Sequence, residues 1–302
     1  MSVINLIGKT PTVRLQKIEK YFGLTARLYA KLEKYNPSGS VKDRAAYYMV
    51  ESAVRHGLIG DRTSVIEPTS GNMGISLAML SSVYGYRAIV VMPESVSVER
   101  RALISAYGGE VLLTDGHKGM KGAIERAEQM LSEINGAYTL AQFTNQLNLI
   151  AHYETTGKEI YRDLMGGVDI LVAGVGTGGT IGGAGRYLKE KKPSVKLIAV
   201  EPSESAVLSG GPFSPHGIQG IGAGFIPPLL DMSLIDRVMT VSTEESLETC
   251  KVLALKEGIF AGISSGAALS RGITLGLEAE NEGKNIVVIL PDGGEKYLSL
   301  TS

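Results

Sequence analysis

Short apolar runs alternate with longer stretches of helical period along most of this chain. Residues 27–33 (RLYAKLE) alternate polar and apolar positions as a half-buried strand does. The turn-forming run Asn36-Pro37-Ser38-Gly39-Ser40 then leads into a helical pattern at 41–56, with Ser40 as its predicted N-cap. Strand 64–67 follows, and the sharp loop Pro68-Thr69-Ser70-Gly71-Asn72 opens a helix through Tyr84. The alternation continues with strand 87–92, helix 97–107, strand 110–114 and helix 119–134. After 145 it restarts: helix 152–165, strand 168–173, helix 178–191 stopped by Pro193, and strand 195–201. A stretch rich in glycine and proline at 209–228 separates these from strand 237–241, helices 243–256 and 265–280, and strand 285–290. Apolar strands separated by helices predict an α/β protein built of two units. Each is a mostly parallel twisted sheet flanked by helices, with a cleft between them.

Composition narrows the partners. The chain has 302 residues, 44% of them hydrophobic and 20% charged, with a net charge of -1 and no basic block, so a nucleic-acid partner gains no support. The start lacks the pattern of a signal peptide, and no apolar run has the length of a membrane span. The single cysteine, Cys250, excludes a disulfide framework and fits a reducing cytoplasm. The four histidines lack the spacing of a metal site.

Glycine is frequent, and its clustering carries the chemistry. Gly174-Val175-Gly176-Thr177-Gly178-Gly179 follows a strand and opens a helix, and Glu201 ends the next strand. That is a dinucleotide fingerprint with Glu201 as ribose acid, which would make the protein an NAD-dependent dehydrogenase. Gly176, Thr177, Gly178, Gly179 and Thr180 would equally cradle a lone phosphate at a helix N-terminus. Two further polar loops open helices: Thr69-Ser70-Gly71-Asn72, suited to a carboxylate, and Gly262-Ile263-Ser264-Ser265-Gly266. A dehydrogenase leaves both without a task. Lys42 stands in the first turn after Ser40, where the helix dipole disfavours a cation. It is either a surface lysine or a Schiff-base nucleophile. Together with the three loops it suits pyridoxal phosphate acting on an amino acid.

Many of these motifs, in order, resemble the cysteine synthase (O-acetylserine sulfhydrylase) family of fold-type II, tryptophan synthase β-like pyridoxal phosphate enzymes. They include Ile7-Gly8-Lys9-Thr10-Pro11, Ser40-Val41-Lys42-Asp43-Arg44, Pro68-Thr69-Ser70-Gly71-Asn72, Glu99-Arg100-Arg101, Gly176-Thr177-Gly178-Gly179-Thr180, Gly217-Ile218-Gln219-Gly220-Ile221-Gly222 and Gly262-Ile263-Ser264-Ser265-Gly266. The resemblance implies that Lys42 forms the Schiff base with the cofactor and takes the substrate's α-proton. It implies that Asn72 bonds the pyridine 3-oxygen, that residues 176–180 hold the phosphate, and that Ser264 meets the ring nitrogen. Thr69, Ser70 and Asn72 with Gln142 would receive the substrate carboxylate, and Gly71, Met73 and Gly222 would also line the substrate site.

The implied reaction is β-elimination to an α-aminoacrylate followed by addition of sulfide, making cysteine from O-acetylserine. A cysteine-degrading, sulfide-releasing lyase that forms serine, lanthionine or cystathionine is the alternative on the same scaffold. The family also implies a homodimer and a smaller mobile domain at 40–145 that closes on a larger one at 1–39 and 146–302.

Four further positions carry open readings. Met73 replaces the family's second threonine, a change that is either neutral or alters substrate handling. The segment Asp292-Gly293-Gly294-Glu295-Lys296 departs from the family's usual serine-containing segment, and Asp292 lies either near the pyridine edge or in a solvated turn. Asp231 is either a water-activating base or a surface turn residue, and Tyr297 is expected to pack.

Overall fold

Two sheets divide the strands of the computed structural model, which describes residues 2–69 and 71–301. The chain opens with β1 (Thr12–Arg14), α1 (Gln16–Phe22) and β2 (Arg27–Leu32), and then enters α2 (Lys42–Arg55). A three-stranded parallel sheet follows, made of β3 (Ser64–Pro68), β4 (Arg87–Pro93) and β5 (Glu110–Thr114) in that order. Its helices are α3 (Asn72–Tyr84), α4 (Val98–Ala106) and α5 (Gly119–Glu133).

After α6 (Leu147–Ala151), a π turn at His152–Gly157 and α7 (Lys158–Asp163), the chain returns to the first sheet. It adds β6 (Ile170–Gly174), α8 (Gly179–Lys191), β7 (Lys196–Pro202), β8 (Arg237–Val241), α9 (Thr243–Glu257), α10 (Ile263–Leu277) and β9 (Asn285–Leu290). The six strands lie in the order β1-β2-β9-β6-β7-β8, and only the β1–β2 pair is antiparallel.

Successive residues of the central strands feed opposite cores, as the two-residue period of a strand requires. Ile170, Val172, Ile198, Val200, Ile286 and Val288 pack with Ala267, Leu269 and Ile273 of α10. Their neighbours Leu171, Ala173, Leu197, Ala199, Val287 and Ile289 pack on the other face with Ile181, Ala184 and Leu188 of α8. Each such fully buried valine, leucine or isoleucine side chain contributes about 1.5–3 kcal/mol relative to exposure. The smaller sheet is covered likewise, by α2 and α3 on one face and α5 on the other.

The two-sheet α/β architecture agrees with the apolar pattern, with four local differences. β1 and α1 were not predicted: three strand residues show no alternation, and α1 buries only Ile18. The helix predicted at 152–165 is a π turn at His152–Gly157 running into α7, and α6 precedes it directly. The helix predicted at 265–280 is α10, which starts two residues earlier at Ile263 and ends at Leu277. Helix α2 begins at Lys42 with Val41 as N-cap, and Ser40 Oγ accepts the Lys42 N–H at 3.2 Å.

A buried ion network fixes the start of α2. Arg44 Nε and Nη2 donate to the two oxygens of Glu33 at 2.6 and 2.8 Å, and Nη1 and Nη2 to those of Glu159 at 2.7 and 2.8 Å. Lys31 Nζ lies 2.9 Å from Glu159, and Thr10 Oγ1 donates to Glu33 at 2.7 Å. Burial alone would raise the Glu159 carboxyl, but Arg44 and Lys31 outweigh it and hold its pKa at about 2. Arg44→Met leaves two carboxylates buried without their main counter-ion, so urea unfolding is expected to show a loss of about 3–5 kcal/mol. A loss below about 1 kcal/mol would mean the network is energetically idle.

Candidate active site

Three loops leave the C-terminal ends of parallel strands, the place where open α/β sheets form ligand crevices. They run from β3 into α3, from β6 into α8, and from β9 through Pro291 to Tyr297. The last of these draws the others together. Val41 N–H donates to Pro291 O at 2.8 Å, Ser40 and Asp292 form an isolated bridge, and Gly262 N–H donates to Asp292 O at 3.1 Å. From the smaller sheet, Asn72 Nδ2 donates to Asp292 Oδ2 at 2.7 Å. The first residues of α2, α3 and α10 therefore surround one strand end.

Lys42 is the first residue of α2 and is only part-exposed. Burial pushes its ammonium down to about 8. The helix dipole expected to matter here is secondary; lost hydration disfavours the charged form. The lysine is no snorkelling surface side chain. His152, in the π turn, is fully buried, and burial, helped by the positive charges of Arg44 and Lys42, holds it neutral with a pKa of about 3. Its Nδ1 meets Thr156 Oγ1 at 2.9 Å and its Nε2 meets Thr180 Oγ1 at 3.2 Å. His152 thus links the surroundings of Lys42 to the start of α8.

The loop before α3 is shaped for close approach. Gly71 has φ 149°, and a Cβ there would stand 2.4 Å from Arg100 Cδ. Thr69 is buried, and its Oγ1 accepts the Gly71 N–H at 3.2 Å. Ser70 lies outside the described residues. The side chain of Met73 is 1% exposed and packs into the core with Met49, Ile75 and Ile104, so only its backbone faces the helix N-terminus. The N–H groups of that first turn have no intrahelical partner.

Gln142 arrives on a separate turn held by one carboxylate. Glu67 accepts from Thr139 Oγ1 and from the backbone N–H groups of Leu140, Ala141 and Gln142 at 3.0, 3.0, 3.2 and 3.2 Å. These bonds hold Ala141 at φ 51°, a left-handed conformation uncommon outside glycine. Burial nonetheless raises Glu67 to about 7. Gln142 Nε2 donates to Pro68 O at 3.2 Å, which ties the turn to the end of β3.

The glycine loop completes the ring. Gly178 caps α8 with φ 81°, and a Cβ on Gly179 would stand 2.1 Å from Asn148 Oδ1. Asn148 Nδ2 donates both to Thr177 Oγ1 at 3.0 Å and to Gln142 O at 2.9 Å, joining the glycine loop to the Gln142 turn. Gly176 packs under Gly220 O, and Gly222 N–H donates to Val175 O at 2.9 Å. Ser264 is 3% exposed in the first turn of α10.

Two candidates fall away from any binding role. Glu201 spends both oxygens on Leu208 N–H, Ser209 N–H and Ser209 Oγ at 2.7, 2.9 and 2.6 Å, so it faces no ribose. Asp231 is exposed and accepts Ser233 N–H at 3.0 Å, the ordinary turn role. Asp292, by contrast, is 1% exposed and is not a solvated turn residue. Tyr297 does more than pack: its hydroxyl donates to Asp292 Oδ2 at 2.7 Å and its ring lies 4.5 Å from the Arg100 guanidinium. Asn148, His152 and Lys296, whose Nζ donates to Asn72 Oδ1 at 3.3 Å, were not singled out from the sequence. Their roles arise from contacts across the fold, and no local pattern announces them.

The residues present fit pyridoxal phosphate. An amine of lowered pKa suits its aldehyde, a glycine-lined helix N-terminus suits its phosphate, and Asn72 and Ser264 offer short polar groups at the starts of α3 and α10 for its ring. Among the described residues no cluster of His, Cys, Asp and Glu could hold a metal ion, and no helix is long and apolar enough to cross a membrane.

Comparison with known proteins agrees with the geometry. Residues 3–292 match the family described as pyridoxal-phosphate dependent enzyme. A cysteine synthase of Staphylococcus aureus (strain Mu50 / ATCC 700699) is 45% identical over 299 residues, covering 99% of this chain and 95% of its own. The crystal structure of a cysteine synthase from Entamoeba histolytica superposes with a TM-score of 0.94 at 43% identity, covering 99% of this chain and 89% of its own. That of a hydrogen sulfide-producing enzyme from Fusobacterium nucleatum gives 0.95 at 44%, covering 98% and 99%. The chain belongs to the pyridoxal-phosphate dependent enzymes, in their cysteine synthase group, with the fold-type II architecture and the pyridoxal 5'-phosphate cofactor of that family.

Proposed function

We propose that this enzyme makes cysteine from O-acetylserine and sulfide, with Lys42, Asn72, the loop from Gly176 to Thr180, and Ser264 holding the cofactor. The observation that carries the proposal is the Lys42 amine, held near a pKa of 8 where the starts of α2, α3 and α10 meet. The bound cofactor supplies an electron sink that makes an amino acid's α-proton and β-substituent labile.

The chain's residues do the rest. The N–H groups at the start of α8, with Thr177 and Thr180, hold the phosphate at the positive end of a 13-residue helix. Thr69, Ser70, Gly71, Asn72 and the Met73 backbone, together with Gln142, bind the substrate carboxylate, and Gly222 forms part of the wall. Lys42, neutral at mildly alkaline pH, takes the α-proton. The acetoxy group leaves as acetate, and sulfide takes its place on the β-carbon. Ser264 is uncharged, so it gives the ring nitrogen little reason to hold a proton, which favours elimination. Closure of a mobile unit at 40–145, pivoting on the first turn of α2 that Arg44 ties to Glu33 and Glu159, would exclude water while the reaction proceeds.

The likeness to the Fusobacterium enzyme favours a second reading: the same residues release sulfide from cysteine. The burial of Met73 in the core favours neither direction, since its side chain is turned away from the loop. A homodimer working in the cytoplasm completes the proposal, and the single cysteine fits a reducing compartment.

Two measurements test the role of Lys42. In cofactor-free protein, reductive methylation followed by peptide mass spectrometry should show Lys42 half-labelled near pH 8, well below the ordinary lysine range near 10.5. Labelling in step with surface lysines would contradict the buried amine. In the cofactor-loaded enzyme, Lys42→Ala should abolish both the visible Schiff-base absorption and sulfide-dependent turnover. Retention of the band would place the cofactor on another lysine.

A further inference from the structure

Asp292 and Lys296 have no part in the reading above, yet both are within 2% of complete burial beside Asn72. Asp292 Oδ2 accepts from Asn72 Nδ2 at 2.7 Å, and Lys296 Nζ donates to Asn72 Oδ1 at 3.3 Å. Each partner is fixed from behind. Tyr297 hydroxyl donates to the same Asp292 oxygen at 2.7 Å, with Arg100 Nη2 3.8 Å away, and Lys296 Nζ donates to Gly39 O at 2.8 Å.

A carboxylate can only accept and an ammonium can only donate. Rotating the Asn72 amide by half a turn would set its oxygen against the carboxylate and its NH2 against the ammonium. Both contacts would become repulsive at once, in a place with little water to relieve them. The amide is therefore held in one sense. One N–H of Nδ2 is spent on Asp292 and the other is left over.

We propose that Asp292 and Lys296 are positioning residues that lock the Asn72 amide, so that its second N–H is always presented to the 3-oxygen of the bound cofactor. The inference rests on the proposed role of Asn72 and adds the pair that orients it. It also gives a reason for a carboxylate at 292: a serine hydroxyl rotates and donates as readily as it accepts, so it cannot dictate the sense of an amide. The other oxygen, Asp292 Oδ1, has no hydrogen-bond partner among the described residues. It lies where a Cβ on residue 262 would stand 2.0 Å away, so Gly262 is what leaves it room.

The test uses the cofactor-loaded enzyme, following the visible band and the rate of cofactor loss on dilution. Asn72→Ala should speed cofactor loss about tenfold, the scale of one hydrogen bond to a charged oxygen, and shift the band. Asp292→Ala and Lys296→Met should each reproduce much of that effect. In the Asn72→Ala background, Asp292→Ala should add less than about twofold, because the amide it orients is gone. Asp292→Asn, whose amide can turn either its oxygen or its NH2 to Asn72, should speed cofactor loss more than about twofold but less than Asp292→Ala.

If Asn72→Ala speeds loss but Asp292→Ala and Lys296→Met do not, the lock is wrong while the role of Asn72 stands. If Asn72→Ala itself changes neither the band nor the rate, the role of Asn72 and the lock fail together. Full additivity of Asp292→Ala with Asn72→Ala would also overturn the lock. Should Asp292→Ala fail to fold, Lys296→Met carries the decision alone.

Discussion

The buried guanidinium of Arg44 is the constraint on which the rest of the molecule depends. It lies two residues beyond Lys42 and is gripped by Glu33, at the end of β2, and by Glu159, on α7. Those partners belong to the larger sheet and its helices, whereas α2 packs against the smaller sheet. A buried charge cannot drift from its partners without leaving ions unpaired in a dry interior. The first turn of α2, and Lys42 with it, is thereby fixed against the larger sheet. The isolated bridge between Ser40 and Asp292 sets the other side of the same turn.

From that fixed point the candidate site is assembled by carboxylates that take up backbone and amide N–H groups. Glu67 collects the turn bearing Gln142. Asp292 takes the amide of Asn72. Asp43, next to Lys42, accepts from Ser38 N–H at 2.7 Å and from Ser76 Oγ at 2.6 Å, and burial raises its carboxyl above the ordinary range. Each is a short-range tie, and each joins segments far apart in sequence. The helix N-termini they hold present unpaired N–H groups and positive dipole ends, which suits an anionic cofactor and an amino-acid carboxylate.

Much of the fold was legible in the sequence because the central strands are buried on both faces. Continuous apolar runs such as those of β4 and β9 can be little else when flanked by helical periods. β1 and α1 were not legible, being too short and too exposed to show a period. In the site, the loops rich in glycine and hydroxyl residues were visible as loops that open helices. What could not be read is which side chains meet. Asn148 is an ordinary helical asparagine until Thr177 and Gln142 come to either side of it. Asp292 reads as a turn residue until Pro291 is seen paired with Val41. Glu201, which the spacing offered as a ribose acid, is consumed by the turn at 208–209, a contact no spacing rule foresees.

The central claim is that this site exchanges the β-substituent of a serine-type amino acid for sulfide. The most direct measurement is mass-spectrometric identification of products from the cofactor-loaded enzyme given O-acetylserine with sulfide and, separately, cysteine alone. The account predicts cysteine and acetate in equal amounts from the first mixture, formed faster than any sulfide is released in the second. Formation of no cysteine from O-acetylserine and sulfide, with sulfide released readily from cysteine, would contradict it.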